Sequence, residues 1–485
     1  MDCFDVAIIG GGVSGAAIAR KMSAYKLKTV LLEKEADVSF GVSKANSGII
    51  HGGFHYSRGA LKSRLEIKGN LMFDQLKNEL HFPFRRNGIL VAAFTTEEMR
   101  TVEELYQNGL DNGAIGIELC SRSRILSLEP KLNPDVVGGL HAPGGGMIEP
   151  YQFVYSLMES ALKNGVRLMT DFKVSRAVKR DDCYHITDES GKTIQAKWVV
   201  NAAGLYADEV SRIFRAEEYE IKPRKGEEFL LDRNASAFTQ RIIFPVPSKV
   251  SKGMLVIPTV EGTTMVGPTA IIGDDKEDKA TTQGNFEQVF YSARRLIPSV
   301  SEKDIITSFA GLRPVLEGND FYIALSGKAP RFIQVAGIQS PGLTAAPAIG
   351  EYVKDLMLKA GLILEENPDY DPEIEAVPRF RGTEKEELDR LIAENPAYGE
   401  IVCRCETISE AEIVAAIRRG HRTLDGIKFY TRAQMGRCQG GFCTFRILQI
   451  LQRETGQSIE DLTKRGSGSY LVHAKVGEMP VEEMV

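Results

Sequence analysis

The apolar positions of this chain fall first into a short unbroken run, FDVAII at 4–9, which ends in three glycines. A run of that length, apolar on every position, predicts a strand buried on both faces. Residues 13–25 then carry apolar side chains at helical spacing, and 29–33 (TVLLE) return to a short apolar run. The order predicts a β–α–β unit with parallel strands. Further along, 62–78 and 153–163 have helical spacing, and 80–140 mix strands and helices. Residues 174–178, 185–187 and 193–200 are expected strands, the last running through Trp198-Val199-Val200 into the turn Asn201-Ala202-Ala203-Gly204. The glycine-rich stretch 138–149 is expected to break regular structure. Several short strands with turn signals over 226–270 suggest an antiparallel sheet, followed by a strand at 334–336 and a helix at 345–358. Residues 365–398 turn rich in Glu, Pro and Asp and are expected to be a linker, with a short helix near 384–394. A small cysteine-bearing module follows, with helices at 410–419 and 444–454.

The length of 485 residues exceeds what one compact core holds, so two or three domains are expected. The net charge of −5, from 60 Lys and Arg against 65 Asp and Glu, lacks the basic excess of a nucleic-acid binder. No apolar run approaches the ~20 residues that span a bilayer, so a transmembrane segment is not expected; peripheral membrane contact stays open. The first apolar stretch has Asp2 and Asp5 about it and breaks at once into glycines, unlike a signal peptide. The expected location is cytoplasmic, where spaced cysteines more often bind metal or do redox work than form structural disulfides.

Gly10, Gly12 and Gly15 match G-x-G-x-x-G between an expected strand and an expected helix, and Glu33 closes the next strand. Gly10 permits the tight turn, Gly12 lets a pyrophosphate approach the backbone, and Gly15 lets the helix pack on the strand. The helix start at Val13 and Ser14 offers free N–H groups and a partial positive charge to phosphates. Glu33 can accept a hydrogen bond from an unphosphorylated ribose. These residues predict a bound dinucleotide; the turn alone serves NAD and FAD equally.

Three further stretches decide between them by resemblance. GVSKANSGIIHGGFHY (41–56), WVVNAAGLYADEV (198–210) and RFIQVAGIQSPGLTAAPAIGEYV (331–353) resemble, in order, signatures of the D-amino-acid-oxidase-like FAD superfamily. The resemblance covers roughly residues 1–360. It implies FAD as cofactor, with contacts at Gly10, Gly12, Val13, Ser14, Gly15, Glu33, Lys34, Ser43, Asn46, Ser47, Gly48, Val174, Ala203, Gly204, Gly311, Gly342, Leu343 and Thr344. The helix opening at 341–344 would aim its positive end at the reduced flavin.

The same resemblance makes Arg313, in the sequence Gly311-Leu312-Arg313-Pro314, the residue that binds a substrate carboxylate or phosphate. Arginine suits that role because it is always charged and binds such groups bidentately. His51 and His55 are the candidate proton acceptors, His51 the preferred one. Tyr56, Lys62, Lys225, Lys249 and Lys252 are weaker candidates for substrate contact. The stretch SGIIHGGFHYSRGALKSRL (47–65) is similar to the glycerol-3-phosphate dehydrogenase and L-2-hydroxyglutarate oxidase branches. The chain departs from both at His55, where they carry arginine and tyrosine respectively. The type 2, or anaerobic, glycerol-3-phosphate dehydrogenases are the preferred match. That match implies oxidation of sn-glycerol 3-phosphate to dihydroxyacetone phosphate. A 2-hydroxy acid such as L-2-hydroxyglutarate is the first alternative, and an amino acid or amine, as in proline- or opine-oxidising subunits, is the second.

Cys403-Arg404-Cys405 is followed after 32 residues by Cys438-x4-Cys443. Four thiolates in two close pairs can hold a soft metal centre, either structural zinc or a [2Fe–2S] cluster. The whole pattern, with the glycines of GRCQGGFC (436–443), resembles the bacterioferritin-associated-ferredoxin-like domain, which implies [2Fe–2S]. Cys3, Cys120 and Cys183 fall outside the pattern and are expected to be ordinary thiols. A flavin takes up a hydride and a cluster passes electrons on singly, so a dehydrogenase serving a partner is expected. The candidate partner is an NAD(P)-linked flavoprotein or another electron acceptor.

The expected architecture is α/β, with a Rossmann-like FAD domain (1–80, 140–220 and 310–362) interleaved with an α+β substrate domain on an antiparallel sheet (81–139 and 221–309). A linker (363–397), a small helical [2Fe–2S] domain (398–456) and a C-terminal tail (457–485) complete it.

Overall fold

The computed structural model describes residues 3–247 and 253–472; Lys249 and Lys252, weaker candidates for substrate contact, lie outside them. The chain divides into two compact units, Met1–Lys34 with Val38–Ile374, and Glu35–Asp37 with Glu375–Val485.

In chain order the elements that carry the first unit's site are β1 (Cys3–Ile9), α1 (Val13–Ser23), β2 (Thr29–Leu32), β3 (Arg167–Met169), β4 (Thr193–Asn201), β5 (Lys222–Leu231), β6 (Ile305–Val315), β7 (Phe332–Ala336) and α2 (Gly342–Lys359). One sheet is the expected parallel one. β1 lies between β4 and β2, β2 pairs with β3, and β7 joins β4, all in parallel register. Val6, Ala7 and Ile8 are fully buried, which is why these strands carry no polar alternation. Two antiparallel strands, Val174–Arg180 and Cys183–Asp188, extend the edge beyond β4.

The second sheet has nine strands, β5 and β6 among them. Its pairs are antiparallel except that Ile242–Pro245 runs parallel to Ile89–Ala93. That last strand, ILVAA, is buried on both faces: Leu90 and Ala92 enter one apolar core while Ile89, Val91 and Ala93 enter another on the opposite face. The architecture is thus the expected α/β arrangement with an additional, largely antiparallel sheet.

Two local expectations change. Residues 138–149 do not break regular structure but form the strands Gly138–Ala142 and Gly146–Ile148. A Cβ on Gly139 would overlap Val91 O, so this glycine admits a close neighbouring backbone rather than ending the strand. The helix over 62–78 is two helices, Leu61–Asn70 and Phe73–Leu80. Asn70, where the first ends, turns its side chain inward to donate to His51 O and Gly144 O.

In the second unit, the helix Lys385–Glu394 precedes a short strand pair, Ile401–Cys403 with Ile408–Ser409. Three helices follow: α3 (Glu410–Arg418), α4 (Leu424–Thr431) and α5 (Thr444–Thr455). Ser409 and Glu412 form a reciprocal capping box that fixes where α3 starts. The core of this unit is apolar and includes Cys403 and Cys443.

Candidate active site and redox centre

The three glycines after β1 do different work. A Cβ on Gly10 would lie 2.5 Å from Ala202 O, and one on Gly15 would overlap Gly10 O. Both glycines let the chain close on itself. A Cβ on Gly12 would meet only Ser43 Oγ, at 3.2 Å. The middle glycine therefore faces space that the protein leaves open. α1 starts there without a side-chain cap, although the Val13 N–H donates to Ser43 Oγ at 2.9 Å. Glu33, buried just past β2, accepts from the Gly11 N–H at 2.6 Å. A Cβ-free cradle, a helix N-terminus without a side-chain cap and a buried carboxylate at the strand end fit the phosphates and ribose of a dinucleotide. Nearby, the Lys34 ammonium sits 4.1 Å from the centre of the Tyr206 ring. Ala203 and Gly204 follow the Ala202 carbonyl that crowds Gly10. Val174 lies in the core two residues past Phe172, whose N–H donates to Glu33 O.

The loop after this unit is stitched to α2. Asn46 folds it by donating to Ser43 O (2.7 Å) and accepting from the Gly48 N–H (2.9 Å). The His51 N–H donates to Thr344 Oγ1 at 2.9 Å. His51 Nε2 lies 2.9 Å from Ser340 Oγ, and the Tyr56 hydroxyl donates to Ser340 O at 3.0 Å. α2 opens at Gly342, with Leu343 and Thr344 in its first turn and no side-chain cap. Of the two candidate histidines, His51 faces this helix start. His55 packs against the rings of Phe54 and Phe244, at 4.2 and 5.2 Å between centroids.

β5 and β6 supply the charged floor. They pair with Arg224 opposite Arg313, Gly226 opposite Gly311, and Glu228 opposite Phe309. Directly opposed residues share a face, as do alternate ones along a strand. Arg224, Gly226, Glu228, Gly311 and Arg313 therefore lie on one face. The Arg313 guanidinium lies over Gly226, where a Cβ would come within 2.6 Å of Nη2. A Cβ on Gly311 would overlap Ala45 O, so the same face lies against the 41–48 loop. Arg313 donates to Thr269 O at 3.2 Å. Burial lowers its pKa below the usual guanidinium value, and Glu228 opposes that shift.

Glu228 is 2% exposed. Its Oε1 accepts from Ser47 Oγ at 2.6 Å, while Oε2 has no hydrogen-bond partner. Burial pushes its carboxyl up to about 7, against the pull of Ser47 and Arg313. Arg224 Nη1 reaches Gln339 Oε1 at 3.4 Å, and the Lys62 ammonium lies 4.4 Å from the Tyr56 ring centre while donating to Asn319 O. Lys225, being one residue out of phase, points to the other face and binds Asp278 at 2.7 Å. Arg224, Glu228 and Ser340 lie among these candidates, and sequence reasoning missed them. For the first two the available signal was the two-residue alternation about Gly226.

In the second unit the four module cysteines come together, paired across the sequence gap rather than within it. Cys403 is hydrogen-bonded to Cys443, and Cys405 to Cys438. The Cys443 thiol lowers the Cys403 pKa to about 6, helped by the backbone N–H groups of Gln434 and Glu406. Cys438 is lowered too: burial pushes it up, but the N–H groups of Phe442 and Gly440 and the Cys405 thiol outweigh that. Among the described residues no set of three or more His, Cys, Asp or Glu converges as one ion would require. In each pair one thiol is lowered and its partner, Cys443 or Cys405, is raised; two close cysteine pairs with backbone N–H groups on their sulfurs suit a two-iron cluster, which takes two ligands on each iron. Of the three remaining cysteines, Cys120 is buried, and Cys3 and Cys183 prove to be neighbours, their sulfurs 3.9 Å apart.

Fold and site together define a flavin-dependent oxidoreductase with an iron–sulfur module. The chain belongs to the FAD dependent oxidoreductase family, whose model matches residues 5–356, and residues 401–453 match the BFD-like [2Fe-2S] binding domain. FAD and a [2Fe–2S] cluster are therefore its cofactors. It is 42% identical over 97% of its length, and 98% of the relative's, to a glycerol 3-phosphate dehydrogenase of Caloramator mitchellensis. The FAD-bound L-alpha-glycerophosphate oxidase of Mycoplasma pneumoniae superposes with a TM-score of 0.74 at 32% identity, covering 78% of this chain and all of that one. An L-2-hydroxyglutarate dehydrogenase of Indibacter alkaliphilus is 26% identical, over 73% of this chain and 99% of its own. No helix among the described residues is long and apolar enough to cross a membrane.

Proposed function

We propose that this chain oxidises sn-glycerol 3-phosphate to dihydroxyacetone phosphate and delivers the electrons through its cysteine module to a partner protein. The observation that carries the reading is the shared sheet face with Arg224 and Arg313, set against the loop that leads to His51. Its chemistry suits a small phosphorylated alcohol, and the full-length relative from Caloramator carries the corresponding name.

Bound FAD supplies a two-electron acceptor and the [2Fe–2S] cluster a one-electron carrier. Gly12, Val13 and Ser14 hold the pyrophosphate and Glu33 the ribose. Gly10, Gly15, Lys34, Val174, Ala203 and Gly204 shape that end of the site. Ser43, Asn46, Ser47, Gly48 and Gly311 would shape the loop that holds the flavin, and Gly342, Leu343 and Thr344 would offer it a helix N-terminus. Arg313, joined by Arg224, grips the phosphate bidentately. His51, its ring oriented by the contact of Nε2 with Ser340 Oγ, accepts the proton of the C2 hydroxyl as the C2 hydride leaves. His55 packs beside it among Phe54 and Phe244.

Cys403, Cys405, Cys438 and Cys443 hold the cluster. Phe442 and Phe445, 87% and 62% exposed beside Cys443, offer an apolar landing for an electron acceptor. The acceptor we propose is an NAD(P)-linked flavoprotein, because the chain has a single dinucleotide turn of its own. A reducing compartment, the cytoplasm, suits the exposed thiols. Anaerobic mixing of the purified holoprotein with sn-glycerol 3-phosphate, L-2-hydroxyglutarate and proline tests the substrate. Fast flavin bleaching by the first alone is expected, and bleaching by another in its place refutes the reading.

A further inference from the structure

His51 is buried, and both of its backbone polar groups are held by side chains. The antiparallel pairing of Ile49–Ile50 with Gly146–Ile148 ends at Ile50, one residue before it. The His51 N–H donates instead to Thr344 Oγ1 at 2.9 Å, and its carbonyl accepts from Asn70 Nδ2 at 2.7 Å. Buried backbone groups have to be paired. Here the partners come from two helices, Thr344 from the first turn of α2 and Asn70 from the end of Leu61–Asn70. The two helices meet where a Cβ on Gly69 would overlap Thr344 O, so both holders belong to one frame.

Asn70 is itself fixed. Arg86 donates from Nη1 to Asn70 Oδ1 at 3.0 Å and from Nη2 to Asn70 O at 2.8 Å. A guanidinium can only donate, so it settles which end of the amide is oxygen and turns Nδ2 toward the carbonyls of His51 and Gly144. Asp74 accepts from Arg86 Nε at 2.6 Å. One turn before Asn70, Glu66 accepts from the Gly53 N–H at 2.7 Å. Residues four apart share a helix face, so residues 51 and 53 rest on one face of this helix.

We propose that Asn70 is the positioning residue of the proton acceptor: its amide, opposite Thr344, fixes the main chain of His51 and so sets where the imidazole meets the C2 hydroxyl. The inference rests on the reading of His51 as that acceptor. Ser340 orients the ring, but the ring hangs from a Cα whose place the two backbone bonds decide. Removing the Asn70 donor leaves a buried carbonyl unpaired, and the segment shifts to find a partner. A displacement of about 1 Å costs up to roughly 100-fold in rate.

Anaerobic stopped-flow mixing with sn-glycerol 3-phosphate measures flavin bleaching per bound FAD, in water and in deuterium oxide, for the wild type, Asn70→Ala, Asn70→Asp and Arg86→Lys. Asn70→Asp keeps the size and the bond from Arg86 but has no hydrogen to give His51. Both Asn70 variants should bleach roughly 10- to 100-fold more slowly at saturating substrate. The half-saturating concentration should change little. The solvent isotope effect should exceed that of the wild type, because the proton crosses a longer gap. An Asn70 with a purely structural role would lower melting temperature and FAD content but leave the rate per bound FAD and its isotope effect at wild-type values; that result overturns the inference. If both Asn70 variants lose FAD, Arg86→Lys decides. A lysine cannot hold both oxygens of Asn70, so the rate should fall in the same pattern but by less, and a wild-type rate there overturns the inference. A His51→Gln variant that bleaches like the wild type overturns the assignment of His51 and the inference with it.

Discussion

Replacing Glu228 by Gln should stabilise the FAD-holding unit, and the gain should depend on pH. Burial raises this carboxyl from 4.5 to about 7. The folded protein therefore binds the Glu228 proton more tightly than the unfolded chain does. Its contribution is fully present below pH 4.5 and is lost as the pH rises through 7. At 1.36 kcal/mol per pKa unit, forcing the buried carboxyl to ionise at pH 8 costs about 3 kcal/mol. Glutamine keeps the shape and can still accept from Ser47, but has no charge to bury. The variant should match the wild type near pH 4.5 and exceed it by up to about 3 kcal/mol at pH 8. For a unit of this size that is about 4 °C in melting temperature. Thermal release of flavin fluorescence, which reports this unit alone, measures it at pH 5, 6, 7 and 8 in substrate-free protein. A variant less stable than the wild type at pH 8 would refute the reasoning, because the carboxylate would then be a net stabilising partner of Arg313.

Three other outcomes follow from the geometry. Gly12→Ala should fold and lose FAD affinity by at least 10-fold, whereas Gly15→Ala, whose Cβ overlaps Gly10 O, should fail to give folded protein; circular dichroism and FAD titration separate the two. Arg313→Lys should keep FAD but raise KM for the phosphate substrate by roughly 10- to 100-fold, since a point charge replaces a bidentate grip; an unchanged KM would place the anion elsewhere. Cys438→Ser should abolish electron transfer to an external acceptor while sparing flavin bleaching by substrate, and loss of bleaching in a folded, FAD-loaded variant would contradict the assigned order of carriers.

How far the sequence showed this molecule depended on the range of the interactions involved. The turn Gly10–Gly15 and Glu33 were legible because strand, turn and helix lie within about thirty residues and obey local rules. The glycines of 138–149 misled because a glycine that admits a neighbouring backbone looks, in sequence, like one that ends a strand. Arg224 and Glu228 stayed hidden since their face is set by pairing with a strand over eighty residues away. The cysteines were legible as a set of four, but not in their pairing: Cys403 meets Cys443 and Cys405 meets Cys438 only once the chain has folded back through α3 and α4. The second of those helices, Leu424–Thr431, carries Gly426 and two buried polar residues, and was not anticipated from its pattern.

The most direct measurement is electron paramagnetic resonance of the anaerobic holoprotein frozen after addition of sn-glycerol 3-phosphate, with dihydroxyacetone phosphate assayed in the same sample. The signal of a reduced [2Fe–2S] cluster is expected, together with ketone product in proportion to the electrons held by flavin and cluster. A cluster that stays oxidised while the flavin is bleached and product forms, or a sample in which no product forms, would contradict the proposed function.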